Sequence, residues 1–533
     1  MRRLRIGVLI DGRKLAAWQA EALRTLSAEA DFWVYSCNNS ARAPRRLAHA
    51  AYYLLNLAAI RNRLTRRVPW PADLPAAAIT QFRAIRDGSW QELPAAFLDR
   101  LRGDRIDVIV KFGMGLLRVP PADRLAVPIL SYHHGDPAAY RGRPAGFYEM
   151  LGGDRVMGQV VQRLSNQLDA GPIVASAFTK VAGHSYRSTL VEAYRHSPLI
   201  LARAIANALA GSSWQPRQWG RNYRLPSNRL VLAFLLRQWR RAVAHLCYGL
   251  FKEKRWHVAT AAADLTAPLD AILERLSQAA EWRQAATPPG YRFLADPFFH
   301  PEGGLLVEGF NERSCRGEIL HVSETVVKRL SGRGGHYSYP ATLRDGSQWT
   351  IIPEVSEWSP ALSYALRDDA LGQPAELHVA GRPLLLDPTP FSHDGRLYLF
   401  ANRADEGPSV LRLWSAVNVG GEFVEHPDSP ILISPRGARM AGHIFHLGGQ
   451  LFRAGQDFSG RYGDGTCFFR IMHIDRHRYA EEPAADFRFD RCRGPHTLNF
   501  GDGRAAFDFY EEHFNLLAGL GRLKERRAAG RSD

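Results

Sequence analysis

VPILSYHHGDPAAYRG, residues 127–142, is an apolar run that ends in two histidines and then turns through Gly-Asp-Pro into Tyr-Arg-Gly. A short apolar run bounded by turn residues predicts a buried strand. RIGVLI (5–10), DFWVYSC (31–37) and IDVIVKFGMGLL (106–117) repeat the pattern, and AAWQAEALRTLSAEA (16–30) sets apolar residues at helical spacing between the first two. Strands alternating with helices predict an α/β domain with a parallel sheet over residues 1–211. Ligands of such sheets sit beyond the carboxyl ends of the strands, where His133 and His134 emerge. Gly113 and Gly115 close another strand, but the third glycine and the downstream acid of a dinucleotide fingerprint are not evident.

At 533 residues the chain is long enough for two or three separate cores. Its 46% hydrophobic and 23% charged residues are those of a folded chain rather than a disordered one. The net charge of +16 raises the question of a polyanionic partner. Of the 69 basic residues 62 are arginine, spread through every segment, and a coding bias explains that as well as nucleic acid does. Nucleic-acid binding is therefore disfavoured. Five cysteines with no CxxC pair point to a reducing compartment, and the apolar run at the N-terminus is too short for a signal-peptide core. The expected location is the cytoplasm.

Residues 212–288 read as a basic helical connector. RLVLAFLLRQWRRAVAHLCYGLFKEKRWHV (229–258) has a helical period, a basic face and large aromatic residues opposite. Two readings stay open. The helix packs on its neighbours, or it lies on an anionic membrane at the inner face, through Arg237, Arg240, Arg241, Lys252, Lys254 and Arg255 beside Trp239, Phe251 and Trp256.

From residue 289 to 515 the chain is β-rich and repetitive. FLADPFFHPEGGLLVEGFNE (293–312), YSYPATLRDGSQWTIIPEVSE (337–357), LLLDPTPFSHDGRLYLFANR (384–403), ARMAGHIFHLGGQLFRAGQDFS (438–459) and GPHTLNFGDGRAAFDFYEE (494–512) each hold a strand, a glycine turn and an alternating strand. Aligned on Pro297, Pro340, Pro388, Gly442 and His496, they recur about every 50 residues, the period of a β-propeller, here with five blades. Residues 516–533 form a basic tail.

Tyr140-Arg141-Gly142, Gly153-Asp154 with Gly158, and Leu168-Asp169 with Gly171 and Ile173 resemble, in order and spacing, the folate-dependent formyltransferases. The resemblance covers residues 1–200. It implies a Rossmann-type fold, 10-formyltetrahydrofolate as donor, His133 as the proton-handling residue and Asp169 as its carboxylate. It also implies donor contacts from Tyr140, Arg141, Gly142, Gly113 and Gly115. The family's asparagine is replaced by Ser131, so Ser131 and the second histidine, His134, are the candidates to hold the oxyanion. No third ligand is spaced to turn the histidine pair into a metal site, and no metal is expected.

ADPF, SYP with IPE, DPTPF, RMAGHIF with LFRAGQDFS, and PHTLN resemble the N-terminal domain of plant glucosamine inositolphosphorylceramide transferases, itself similar to five-bladed glycosidases. That resemblance implies that Asp296, Asp387, Arg453, Asp457 and His496 converge on a central channel. Asp296 matches the glycosidase base and Asp387 its auxiliary carboxylate, while the acid of the fourth unit is absent and Glu354 stands displaced in the second. The plain alternative for the Asp-Pro pairs is turn chemistry.

The expected whole is a formyltransferase-like α/β Rossmann domain, a helical connector and an all-β five-bladed propeller. It transfers a formyl group to an amino sugar, nucleotide- or lipid-linked, with the propeller binding carbohydrate. The alternative is a glycosidase-like or lectin-like protein with a degenerate front domain. Formylation of initiator tRNA is disfavoured, because family members with that role carry a small β-barrel where this chain has its repeats.

Overall fold

A computed structural model describes residues 2–39, 46–121, 123–278, 282–324, 326–330, 335–355, 360–367 and 370–529. The chain divides into two compact units, Met1–Ala244 and His245–Asp533.

The first unit is built on a seven-stranded sheet. Its strands are β1 (Leu4–Asp11), β2 (Ala30–Cys37), β3 (Ala76–Phe82), β4 (Val108–Lys111), β5 (Ile129–His133), β6 (Val156–Arg163) and β7 (Ile173–Lys180), in the order β7-β6-β5-β4-β1-β2-β3. The first five are mutually parallel. β6 and β7 run antiparallel at one edge, so the expected parallel sheet is a mixed one. Parallel strands are covered on both faces, which is why β1 and β4 are continuous apolar runs. Leu9, Tyr35, Phe97, Leu101 and Ile109 pack together in one core layer, and Phe147, Met157, Tyr186, Leu190 and Phe234 in another. The register sets Leu9 and Ser131 on either side of Lys111, so the carboxyl ends of β1, β4 and β5 lie side by side.

Among the described residues, the second unit contains five antiparallel sheets. β9 (Tyr291–Phe299), β10 (Tyr337–Asp345), β11 (Leu385–His393) and β12 (Arg436–Met440) each begin a sheet of four or five strands that follow in chain order. The remaining sheet joins distant segments: β8 (Lys252–Ala262) pairs over eleven residues with β14 (Arg504–Phe514), which in turn pairs with β13 (Leu498–Gly501). The expected connector is corrected here. Helix stops at Phe251, and Lys252–Trp256 are strand. Trp256, Val258 and Ala259 are buried in that strand, and the charged residues before them conceal its pattern. Of the expected basic tail, Ala518–Ala529 is helix, and 530–533 lie outside the described residues.

One local feature recurs. β9, β10, β11 and β12 each slip register by a bulge, and Asp296 (φ +50), Tyr339 (φ +48), Asp387 (φ +46) and Gly437 (φ +87) occupy the left-handed region there. Three of these bulges fall on the dipeptides Asp296-Pro297, Tyr339-Pro340 and Asp387-Pro388, whose prolines mark the repeat period. The fourth falls on Gly437-Ala438, not Gly442. A left-handed non-glycine residue costs about 1–3 kcal/mol and persists only where its surroundings hold it.

Candidate functional sites

At the carboxyl end of β5, His133 is buried. Its Nε2 lies 2.9 Å from the carbonyl oxygen of Tyr140, and its Nδ1 3.5 Å from Asp169 Oδ2. A carbonyl only accepts, so Nε2 carries the proton and Nδ1 is the basic atom. The same Asp169 Oδ2 accepts from the backbone N–H of Gly142 at 2.9 Å. Tyr-Arg-Gly thus works through its backbone: one carbonyl fixes the tautomer of His133, and one amide, two residues on, fixes Asp169. Glycine is required nearby, since a Cβ on Gly135 would stand 2.8 Å from His133 Nε2. Asp169 is itself left-handed, with φ +45, in the Leu-Asp-x-Gly turn.

The other expected residues are placed differently. His134 meets Ser197 Oγ at 2.9 Å and sits among the rings of Trp18, Tyr132 and Tyr194. Loss of water, with a smaller contribution from His133, pushes its pKa down to about 3. It is a neutral part of an aromatic cluster, which corrects its assignment as an oxyanion donor. Ser131 remains beside His133 on β5. Arg141 spends its guanidinium on the carbonyls of Gly220 and Leu168. Gly113 abuts Asp11, whose Oδ1 accepts from Met114 N at 2.8 Å, and Gly115 (φ +48) completes that turn.

Two residues escaped the sequence. Lys111 flanks Ser131 in the sheet, half-buried, and desolvation lowers its pKa to about 8 against the opposing pull of Asp11 and Asp169. Glu149 is buried, and desolvation pushes its carboxyl up to about 7. His133, Tyr140, Arg143, Tyr148, Glu149 and Tyr223 line a recess of about 10 Å³, room for a water-sized group. No motif marks either residue. The signal for Lys111 was a lone lysine closing an apolar strand.

In the second unit the bulges build a buried charge cluster. The amide of Asp296 donates to Asp508 Oδ2 (3.1 Å), that of Tyr339 to Asp296 Oδ2 (3.2 Å), and that of Asp387 to Glu354 Oε2 (2.9 Å). Each bulge amide, turned away from its own ladder, is capped by a carboxylate of the adjoining sheet. His496 closes the ring, its Nδ1 2.5 Å from Asp508 Oδ2 and its Nε2 3.3 Å from Asp296 Oδ1. Arg439 donates to Asp387 (2.5 and 3.0 Å) and to Glu354 (3.3 Å), and Gln456 donates to Asp387 at 2.8 Å. Tyr462, 43% exposed, reaches His496 Nε2 at 2.9 Å and lies under Arg439.

Asp296, Glu354, Asp387 and His496 therefore converge as expected, whereas Arg453 and Asp457 do not. Along the strand Gln450–Asp457 side chains alternate, and Gln456 takes the cluster side. Arg453 pairs with Glu481 at 2.6 Å, and Asp457 with Arg488 at 2.5 Å. Asp508, Arg439, Gln456 and Tyr462 were missed. Asp508 sits in an alternating strand with no turn or proline to mark it.

Desolvation would lower His496, but Asp508 and Asp296 outweigh it and hold its pKa up at about 9. Desolvation and Asp387 push Glu354 up to about 8. Ligand atoms of Asp296, His496 and Asp508 lie within 4.8 Å of one another, yet both imidazole nitrogens already face carboxylates, so the trio holds itself as an ion cluster. Both raised groups bind more protons folded than unfolded. His496 contributes stability that is full below its ordinary 6.5 and lost as pH rises through about 9, and the Glu354 contribution falls from its ordinary 4.5 to about 8. The second unit is therefore expected to melt at a lower temperature near pH 9.5 than near pH 6. Equal melting temperatures would contradict the charge assignment.

Residues 280–499 match the family described as glucosamine inositolphosphorylceramide transferase 1, N-terminal. The protein named glucosamine inositolphosphorylceramide transferase 1 in Oryza sativa subsp. japonica is 28% identical over an alignment of 218 residues, with 37% of this chain and 29% of that protein covered. The chain thus spans under a third of the length of this curated relative. Among solved structures it is similar to glycinamide ribonucleotide transformylase 1 from Symbiobacterium toebii, with 22% identity, 39% of this chain and 89% of that chain covered, and a TM-score of 0.25. It is also similar to a GH43 β-xylosidase/α-arabinofuranosidase from a compost microbial metagenome, with 14% identity, 38% and 78% coverage and a TM-score of 0.30. TM-scores this low carry no structural argument.

Proposed function

We propose that the first unit is a one-carbon transferase that moves the formyl group of 10-formyltetrahydrofolate to the amine of an amino sugar, and that the second is a five-bladed propeller that binds the acceptor's glycan. The observation that carries the reading is the pair His133 Nδ1 and Asp169 Oδ2, 3.5 Å apart and held by the backbone of Tyr140–Gly142. At 3.5 Å the two atoms are past ordinary hydrogen-bond length but admit no atom between them, so a reacting amine would meet base and carboxylate together from one side.

In the proposed reaction the amine nitrogen attacks the formyl carbon and forms the new C–N bond. Its proton goes to His133 Nδ1, where Asp169 stabilises the imidazolium. The tetrahedral intermediate collapses by breaking the bond between the formyl carbon and N10 of the folate. N10 takes the proton, and tetrahydrofolate leaves. The oxyanion needs a donor, and with His134 occupied by Ser197 the role falls to Lys111, helped by the Ser131 hydroxyl. An ammonium also answers the missing asparagine. Lys111→Met is expected to lower kcat about 10²- to 10³-fold with little change in KM, the cost of an oxyanion donor. An unchanged kcat would remove Lys111 from the site.

The acceptor class has support from the name of the relatives, which couples glucosamine to a lipid, and glucosamine offers an amine to formylate. The test is release of tetrahydrofolate from 10-formyltetrahydrofolate against nucleotide-linked and lipid-linked amino sugars. No release with any acceptor would refute formyl transfer.

A second reading, a sugar-cleaving second unit, is favoured by Glu354, a carboxyl kept protonated near neutral pH beside Asp387. Against it, Glu354 and Asp387 are tied to each other's sheets through the bulge amide and Arg439. Turnover of aryl pentosides abolished by Asp296→Asn would favour cleavage over binding.

A further inference from the structure

The helix Asn228–Phe251 buries only Val231 and Phe234 of its 24 residues. Leu232, Leu235, Leu236, Trp239, Val243, Leu246 and Leu250 follow one another at steps of one, three or four residues, so they share a face. Each is 41–69% exposed to solvent. An ordinary amphipathic helix turns such a face inward. This one is held by its opposite side, where Arg237 and Arg241 donate to the carbonyls of Leu151 and Met150.

The second unit has exposed apolar side chains of its own. Leu250 packs against Gly519, and Arg522 donates to the carbonyls of Gly249 and Lys252. That docks a segment whose Leu516, Leu517, Leu520 and Leu523 are each 52–71% exposed. Contiguous apolar surface of this kind marks an interaction site.

Charge identifies the partner. The helix Asn228–Phe251 holds four arginines and no acidic residue. Arg229 and Arg240 border the leucine stripe, exposed and with no carboxylate partner among the described residues. The helix that follows in the C-terminal segment adds Arg522 and Lys524. Two copies of this face would bring arginine against arginine. An anionic lipid surface accepts both the leucines and the arginines. Among the described residues no helix is long and apolar enough to cross a membrane.

We propose that the first-unit face formed by Leu232, Leu235, Leu236 and Trp239, bordered by Arg229 and Arg240, lies in the interface of an anionic bilayer, parallel to its plane. The surface differs from the one legible in sequence. Lys254 and Trp256 leave it, because Trp256 is buried beside His496 and Lys254 stacks over Tyr510. It is independent of formyl transfer.

The test uses the full chain and vesicles of phosphatidylcholine with or without phosphatidylglycerol, separated by sedimentation. The wild type is expected to sediment with anionic vesicles and to be released by salt. Leu236→Asp with Trp239→Asp should lower the partition coefficient by about a hundredfold. Arg229→Gln and Arg240→Gln should each lower it about fivefold. These side chains are exposed, so circular dichroism and melting should not change. If the aspartate variant unfolds, the arginine variants and the salt titration decide. The proposal is overturned if the wild type stays in the supernatant, or binds neutral and anionic vesicles alike. It is also overturned if light scattering finds a dimer that the aspartate variant dissociates and no vesicle binding.

Discussion

Replacing His133 with asparagine is expected to lower kcat for formyl transfer by about 10²- to 10⁴-fold, the range for loss of a positioned general base. Asparagine keeps a polar group of similar reach but has no nitrogen that accepts a proton. Asp169→Asn should fall in the same direction, since its amide still accepts from Gly142 but no longer balances an imidazolium. Because a base and its orienting carboxylate act as a unit, the double variant should lose little more than the worse single one. Additive losses in the double variant would mean that the two residues act separately. A melting temperature close to wild type for His133→Asn is the control, because the lost bond to the Tyr140 carbonyl is a single hydrogen bond, worth about 1 kcal/mol.

The largest stability effect is expected at Asp508. Its carboxylate accepts from the amides of Asp296, His496 and Thr497 and from the His496 ring. Asp508→Ala leaves the buried imidazolium with Asp296 alone, at 3.3 Å, and strands three amides at once, and breaking a buried pair from one side costs about 3–5 kcal/mol. For a unit of this size that is a fall of roughly 10 °C in melting temperature. His496→Phe added to Asp508→Ala removes an imidazolium that has lost its shorter carboxylate contact, so the double variant should be more stable than Asp508→Ala alone. A double variant that is no better would mean the imidazole was neutral, contrary to the pKa near 9.

Much of the first unit was legible because each parallel strand is one short apolar run, and because His133 and Asp169 sit in turns with their own residue signatures. The antiparallel edge of β6 and β7 was not, since a buried strand has the same composition in either direction. In the second unit the repeated Asp-Pro and Tyr-Pro pairs marked a period, and the structure places a bulge at each. What they do there was hidden: a left-handed residue aims its amide at a carboxylate some 40 or 200 residues away, as from Tyr339 to Asp296 and from Asp296 to Asp508. Arg453 and Asp457 were misplaced for a simpler reason. Strand faces alternate, and a register error of one residue exchanges Gln456 for its neighbours. Lys252–Ala262 was taken for helix because its partner strand lies near the other end of the chain, at Arg504–Phe514. No local pattern carries that pairing.

The central claim is that His133 and Asp169 pass a formyl carbon to an amine. Mass spectrometry of the acceptor after incubation with 10-formyltetrahydrofolate carrying ¹³C in the formyl group tests it most directly. The account predicts the label in a new formamide on the amino sugar, formed by the wild type and lost in His133→Asn. Label released only as formate, or a formamide formed equally by the variant, would contradict it.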